Sequence, residues 1–162
     1  MGGYILKVNS RTIRRATQFH GHLGPWLVLG LRAGSYARRR LRASPFHLTA
    51  LVNCPASPPH SCFLDGIQLG SGCTMGKANI QHRPVNGCCR VLFTATEGRK
   101  SVPRCQLALE LLPALWDELC SALGAPSSAR HLARLARDIG RRPIGQLFAI
   151  SETGTAGNSL NK

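Results

Sequence analysis

Phe19-His20-Gly21-His22-Leu23-Gly24-Pro25 is the stretch on which the reading of this chain turns. Two histidines two residues apart stand before a Gly-Pro break, and an apolar run from Pro25 to Leu31 follows. On a helix, positions i and i+2 point roughly 200° apart, so one ion could not take both imidazoles. In an extended segment they share a face. Gly21 between them and Gly24-Pro25 behind them favour the extended reading, because proline suits the first turn of a helix and breaks its interior. His20 and His22 are therefore expected just ahead of a helix N-terminus, where free backbone N–H groups also face an anion or polar ligand.

A second stretch about forty residues on, Cys62-Phe63-Leu64-Asp65-Gly66-Ile67-Gln68 running into Gly72-Cys73-Thr74, completes a mixed His/Cys set. Two imidazoles and one or two thiolates suit zinc, and a site short of four protein ligands leaves room for water or substrate. The alternative is that each cysteine is a small core residue and each histidine a structural one. The seven cysteines (Cys54, Cys62, Cys73, Cys88, Cys89, Cys105 and Cys120) include no Cys-x-x-Cys pair. That spacing speaks against a zinc ribbon or a thioredoxin-type motif. Gly70 to Lys77 is not a phosphate loop, because Ser71 and Ala78 stand where that pattern needs Gly and Ser or Thr. Asp65 is placed to orient a histidine, but no Gly-x-Ser-x-Gly elbow accompanies it.

The 162 residues suffice for one domain with a real core. Its expected extent is 1–150, followed by a polar, disordered tail at 151–162. Hydrophobic content of 43% against 17% charged is that of a globular chain. The run from Pro25 to Leu31 is too short to span a membrane, and Met1-Gly2-Gly3-Tyr4 lacks a signal core. A cytoplasmic protein with reduced thiols is the expectation. The net charge of +14 favours anionic partners: nucleic acid, an anionic membrane or an acidic protein. Arg38 to Arg42 and the stripe Arg130, Arg134, Arg137 and Arg141 would carry such contacts, although a solvated face is the simpler reading of both. Aromatics at 6% argue against a stacking platform for single strands.

Helices are expected at Asn9 to Gln18, capped by Asn9 or Ser10, and at Pro25 to Arg42. Gly30 and Gly34 would bare one side of the second for close packing or a substrate. Phe46 to Val52 reads as a strand, Cys54 to Pro59 as a loop and Ser61 to Leu69 as a helix. Strands at Ala78 to Arg83 and Arg90 to Thr96 follow, the latter turning at Glu97-Gly98 into a hairpin. Leu107 to Leu119 has helical period, which Pro113 would kink or split. Ser127 is read as the cap of an amphipathic helix stopped by Gly140, and Ile144 to Ile150 as a last strand. Helices and strands without clean βαβ alternation place the chain in the α+β class, with an antiparallel or mixed sheet.

Together, Phe19-His20-Gly21-His22-Leu23-Gly24-Pro25 leading to Leu29-Gly30-Leu31-Arg32-Ala33-Gly34, and Cys62 to Gln68 leading to Gly72-Cys73-Thr74-Met75-Gly76-Lys77-Ala78-Asn79, resemble the FmdE family, which takes its name from formylmethanofuran dehydrogenase. The resemblance covers roughly residues 10 to 120. It implies an α+β core, often dimeric, with a cleft lined by the His-Gly-His and Cys residues that forms a metal site. It also implies a link to molybdenum or tungsten formylmethanofuran dehydrogenase and methanogenic one-carbon metabolism. Three departures stand out: Gly24 where many relatives have Cys, Ala78 where Gly is usual, and no cysteine after Cys120 for the C-terminal zinc finger some members carry. The implied ligands of a divalent metal, foremost zinc, are His20, His22, Cys62 and Cys73. Asp65 would orient a ligand or act as general base, and Lys77 would hold an anionic substrate group. A small-molecule ligand or a partner enzyme would use the same cleft.

Overall fold

The structure is a computed structural model that describes residues 9–97, 102–124 and 128–154. Among them, α1 (Ser10–His20) and α2 (Pro25–Arg40) precede β1 (Leu48–Cys54), α3 (Cys62–Ser71) and β2 (Ile80–Pro84). Then come β3 (Arg90–Glu97), β4 (Val102–Leu111), α4 (Pro113–Gly124), α5 (Ala129–Arg141) and β5 (Phe148–Gly154). The five strands make one mixed sheet in the order β2-β1-β3-β4-β5. β1 and β2 run parallel through the α3 crossover, and the other pairs are antiparallel. This is an α+β domain.

Alternation decides which sheet face is covered. Leu48, Ala50 and Val52 are buried and stand opposite Ala95, Phe93 and Val91, while Leu107 and Leu109 continue the row on β4. These side chains join Leu29, Ala33, Phe63 and Ile67 in one apolar cluster beneath α2 and α3. Thr49, Leu51 and Asn53 point to the opposite face, which is open.

Close helix packing explains the helical glycines. A Cβ on Gly30 would lie 2.1 Å from the Phe63 carbonyl oxygen, and one on Gly66 would lie 2.1 Å from that of Leu27. Gly34 and Gly70 meet Ser71 N at 2.6 Å and Leu31 O at 2.5 Å in the same way. The order of these contacts shows that α2 and α3 run in the same direction, with their N-termini side by side. On its other flank α2 meets α5: the buried Arg32 donates to the carbonyls of Gly140, at 3.1 Å, and Arg142. It thereby satisfies carbonyls that the end of α5 leaves free. Burial pulls the Arg32 guanidinium below its ordinary range.

Several sequence expectations are corrected. His20 is not in an extended segment but is the last residue of α1. Leu107 to Leu119 is not one kinked helix: the strand β4 continues to Leu111, and Pro113 opens α4. At a first helical position proline loses no hydrogen bond, so it divides the segment instead of bending it. Ser128, whose side chain accepts from His131 N, caps α5, and that helix passes through Gly140 to Arg141. Ser127 and the hairpin turn after Glu97 lie outside the described residues. β5 extends beyond Ile150 to Gly154, paired with Cys105. Asn9 caps α1 as expected, accepting from Thr12 N at 2.8 Å. Among the described residues, no helix is long and apolar enough to cross a membrane.

An alanine normally stabilises a helix over glycine by about 1 kcal/mol. Here the clash reverses the sign, since a Cβ 2.1 Å from a backbone oxygen forces two helices apart. Gly30→Ala and Gly66→Ala are each expected to cost about 3 kcal/mol or more in denaturant titrations. Gly76→Ala, where a Cβ meets nothing within 4 Å, should stay within about 0.5 kcal/mol.

Candidate metal centre

Three local devices bring the site together. Gly21 takes the left-handed conformation, φ 94°, and its N–H donates to Thr17 O, which closes α1 immediately after His20. A Cβ there would touch nothing, so backbone conformation and not space calls for glycine. The chain then turns through His22 and Leu23 to Gly24, the extended N-cap of α2, with Pro25 at the first helical position. Finally, the parallel contact of α2 and α3 sets Cys62, the first residue of α3, beside that turn.

The outcome is a cluster of His20, His22 and Cys62 whose potential ligand atoms all lie within 4.8 Å of one another. The two imidazole centroids are 4.6 Å apart and tilted by 40°. The pairing survives the correction above, because the left-handed turn folds His22 back over the end of α1. An extended strand is not needed.

Asp65, one turn after Cys62, accepts a hydrogen bond from His20 Nδ1 at 2.7 Å. That leaves Nε2 free to act as a ligand, and this atom is buried with no hydrogen-bond partner. A buried polar atom without a partner costs about 1–3 kcal/mol, so it marks a place where another group belongs. Gln68 donates to the other Asp65 oxygen at 3.5 Å and accepts from Met75 N at 3.1 Å. It ties the carboxylate to the Met75–Lys77 turn. Burial, reinforced by the Asp65 charge, pushes the Cys62 thiol up, against a smaller lowering by a backbone hydrogen bond. A cation must therefore displace a proton to bind this sulfur.

Cys73 and Lys77 are not in the cluster. Cys73 is fully buried and its Sγ donates to the Leu48 carbonyl at 3.3 Å. Burial raises this thiol too. Lys77 Nζ donates to Thr74 Oγ1 at 2.9 Å and stands 6.0 Å from the Phe46 ring centre. Position 24 does border the cluster: a Cβ on Gly24 would lie 3.2 Å from His22 Nε2. The contact of Gln68 with Asp65 is one that sequence reasoning missed, although their spacing of three on one helix was a usable signal. Neither sequence stretch contained the stack of His60 on Trp116, with ring centres 5.0 Å apart, and nothing in their spacing announced it.

A family described as "FmdE, Molybdenum formylmethanofuran dehydrogenase operon" matches residues 19–141, a span that includes every residue of the cluster. The chain belongs to the FmdE family. Within the curated proteins, this FmdE domain is 31% identical over 78 residues to a "Probable S-adenosyl-L-methionine-binding protein" of Archaeoglobus fulgidus. The match takes in 44% of this chain and 20% of the archaeal protein, so the chain spans only about a fifth of that relative's length.

The Asp65 contact fixes a tautomer, since a carboxylate accepts only from N–H. Nitrogen-15 NMR of the metal-free FmdE domain is expected to show neutral His20 carrying its proton on Nδ1. In Asp65→Ala that preference should disappear while His22 is unchanged.

Proposed function

We propose that this FmdE-family domain binds one divalent metal ion, zinc foremost, through His20 Nε2, His22 and Cys62, and presents it to a small ligand. The observation that carries this reading is the buried, unpartnered Nε2 of His20, whose other nitrogen is anchored to Asp65. A carboxylate, an imidazole and an open ligand nitrogen in sequence form the usual support of a metal-binding histidine. Two imidazoles and a thiolate suit zinc better than magnesium or calcium, which prefer oxygen. Three protein ligands leave a position for water or substrate, and the absence of a side chain at Gly24 keeps that side of His22 open. A bound ion would supply Lewis acidity there.

The chain's own residues have separate tasks. Asp65 orients His20 and is occupied in doing so, which fits a positioning carboxylate better than a general base. Gln68 holds Asp65 from the far side. Cys73 and Lys77 are engaged elsewhere and are left out of the ligand set. The name of the archaeal relative makes S-adenosyl-L-methionine one small molecule to screen beside the metal.

Elemental analysis of untagged protein tests the assignment. The expected content is about one divalent ion per chain, lost in His22→Ala and Cys62→Ser and retained in Cys73→Ala. Asp65→Ala should weaken affinity by about 10–100-fold without abolishing binding. Undiminished metal in both His22→Ala and Cys62→Ser would sink the proposal.

A further inference from the structure

We propose that Cys54 and Cys89 are a redox pair that closes reversibly into a disulfide across the end of the β1–β3 ladder. The register from Leu48↔Ala95 to Asn53↔Arg90 continues by one step to set Cys54 opposite Cys89. The Cys89 carbonyl accepts from Leu111 N on β4 at 2.9 Å, and the Cys54 carbonyl accepts from Val85 N beyond β2 at 3.1 Å. Both backbones thus turn their hydrogen-bonding groups away from each other. That makes them a non-hydrogen-bonded pair, in which facing Cα atoms stand about 4.5 Å apart. Disulfides span Cα separations of about 4.4–6.8 Å. No rearrangement of the strands is required.

The two thiols are near enough to alter one another's acidity, and His82 Nε2 stands 3.5 Å from Cys54 Sγ. The same nitrogen lies 3.0 Å from the Cys54 carbonyl oxygen, so it carries a proton and donates. The interaction with Cys89, followed by the lesser effect of His82, holds Cys54 down at about 7 despite its burial. Cys89 is pushed up by the interaction of its thiol with Cys54 and by burial, so it keeps its proton. One sulfur is a nucleophile and the other a proton-bearing partner. Both are buried, but they end their ladder, and Pro84, Val85, Asn86 and Gly87 beside them are exposed. Ladder ends open most readily, which admits a reagent as small as hydrogen peroxide.

With that oxidant the chemistry balances. The Cys54 thiolate attacks one peroxide oxygen, the O–O bond breaks, and the departing hydroxide takes a proton to become water, leaving a sulfenic acid. The Cys89 sulfur then attacks Cys54 Sγ. The S–S bond forms as the S–O bond breaks, and the hydroxyl leaves as water with the Cys89 proton. Two thiols and one peroxide give one disulfide and two waters, and a small external thiol reverses the step by exchange. Cys88 lies outside the ladder, is less deeply buried than Cys89 and is not part of the pair.

The full chain, reduced and then treated with hydrogen peroxide, is digested and mapped by fragmentation mass spectrometry. The expected product is a Cys54–Cys89 linked peptide, with free thiols falling by two from seven and restored by dithiothreitol. Cys88→Ser should keep the link and Cys89→Ser should lose it. The wild-type map needs no variant, so a folding defect in one cannot obscure the result. A link to Cys88 in place of Cys89, a link that persists in Cys89→Ser, or over-oxidation of Cys54 without any link would overturn the proposal.

Discussion

The parallel contact between α2 and α3 is the constraint from which the rest follows. Four glycines, at 30, 34, 66 and 70, let backbone press on backbone where any Cβ would meet a carbonyl or amide within 3 Å. Such an approach has one register, because sliding either helix by a residue would drive a side chain into the opposing backbone. The register in turn fixes where α3 begins relative to α2. Cys62 opens the one helix and the His22 to Gly24 turn opens the other, so the His/Cys cluster is a consequence of how the helices pack.

Electrostatics at that corner are a contest. Two helix N-termini favour negative charge there, each by about 0.3–1 kcal/mol, and Asp65 in the first turn of α3 accepts that offer. A thiolate at Cys62 would benefit as well, but burial and the Asp65 charge both disfavour it. Burial wins, and the thiol stays up. The result is a cluster in which the Asp65 carboxylate stands behind His20 and beside the raised thiol of Cys62.

Much of this was legible in the residues. Pro25 as a helix start, the Asn9 cap and the strands around Val52 and Val91 follow from local chemistry that tertiary structure does not override. The segment Leu107 to Leu119 misled because a strand buried on one face and a helix both present leucines, and the period is short on each side of Pro113. His20 and His22 were correctly paired for a wrong reason: a left-handed glycine can bring i and i+2 together as well as an extended strand can. Gly66 and Gly70 repeat the spacing of Gly30 and Gly34, but a glycine spacing does not name its partner helix. Cys54 and Cys89 are 35 positions apart, and only strand register makes them neighbours.

Topology also explains why reactive side chains crowd one end of the sheet. A parallel crossover requires the helix to start where the first strand ends, so Cys54 at the close of β1 and Cys62 at the start of α3 lie at the same end, joined by the proline-rich loop between them. β2 runs parallel to β1 and delivers His82 to that end. β3 runs the other way, so its beginning, with Cys89, lies there too. Open α/β sheets bind ligands beyond the carboxyl ends of their strands for the same reason: that is where loops meet helix N-termini and backbone donors are free. In this FmdE domain only one crossover of that kind exists among the described residues, and the His/Cys cluster and the thiol pair both lie at the strand end it defines.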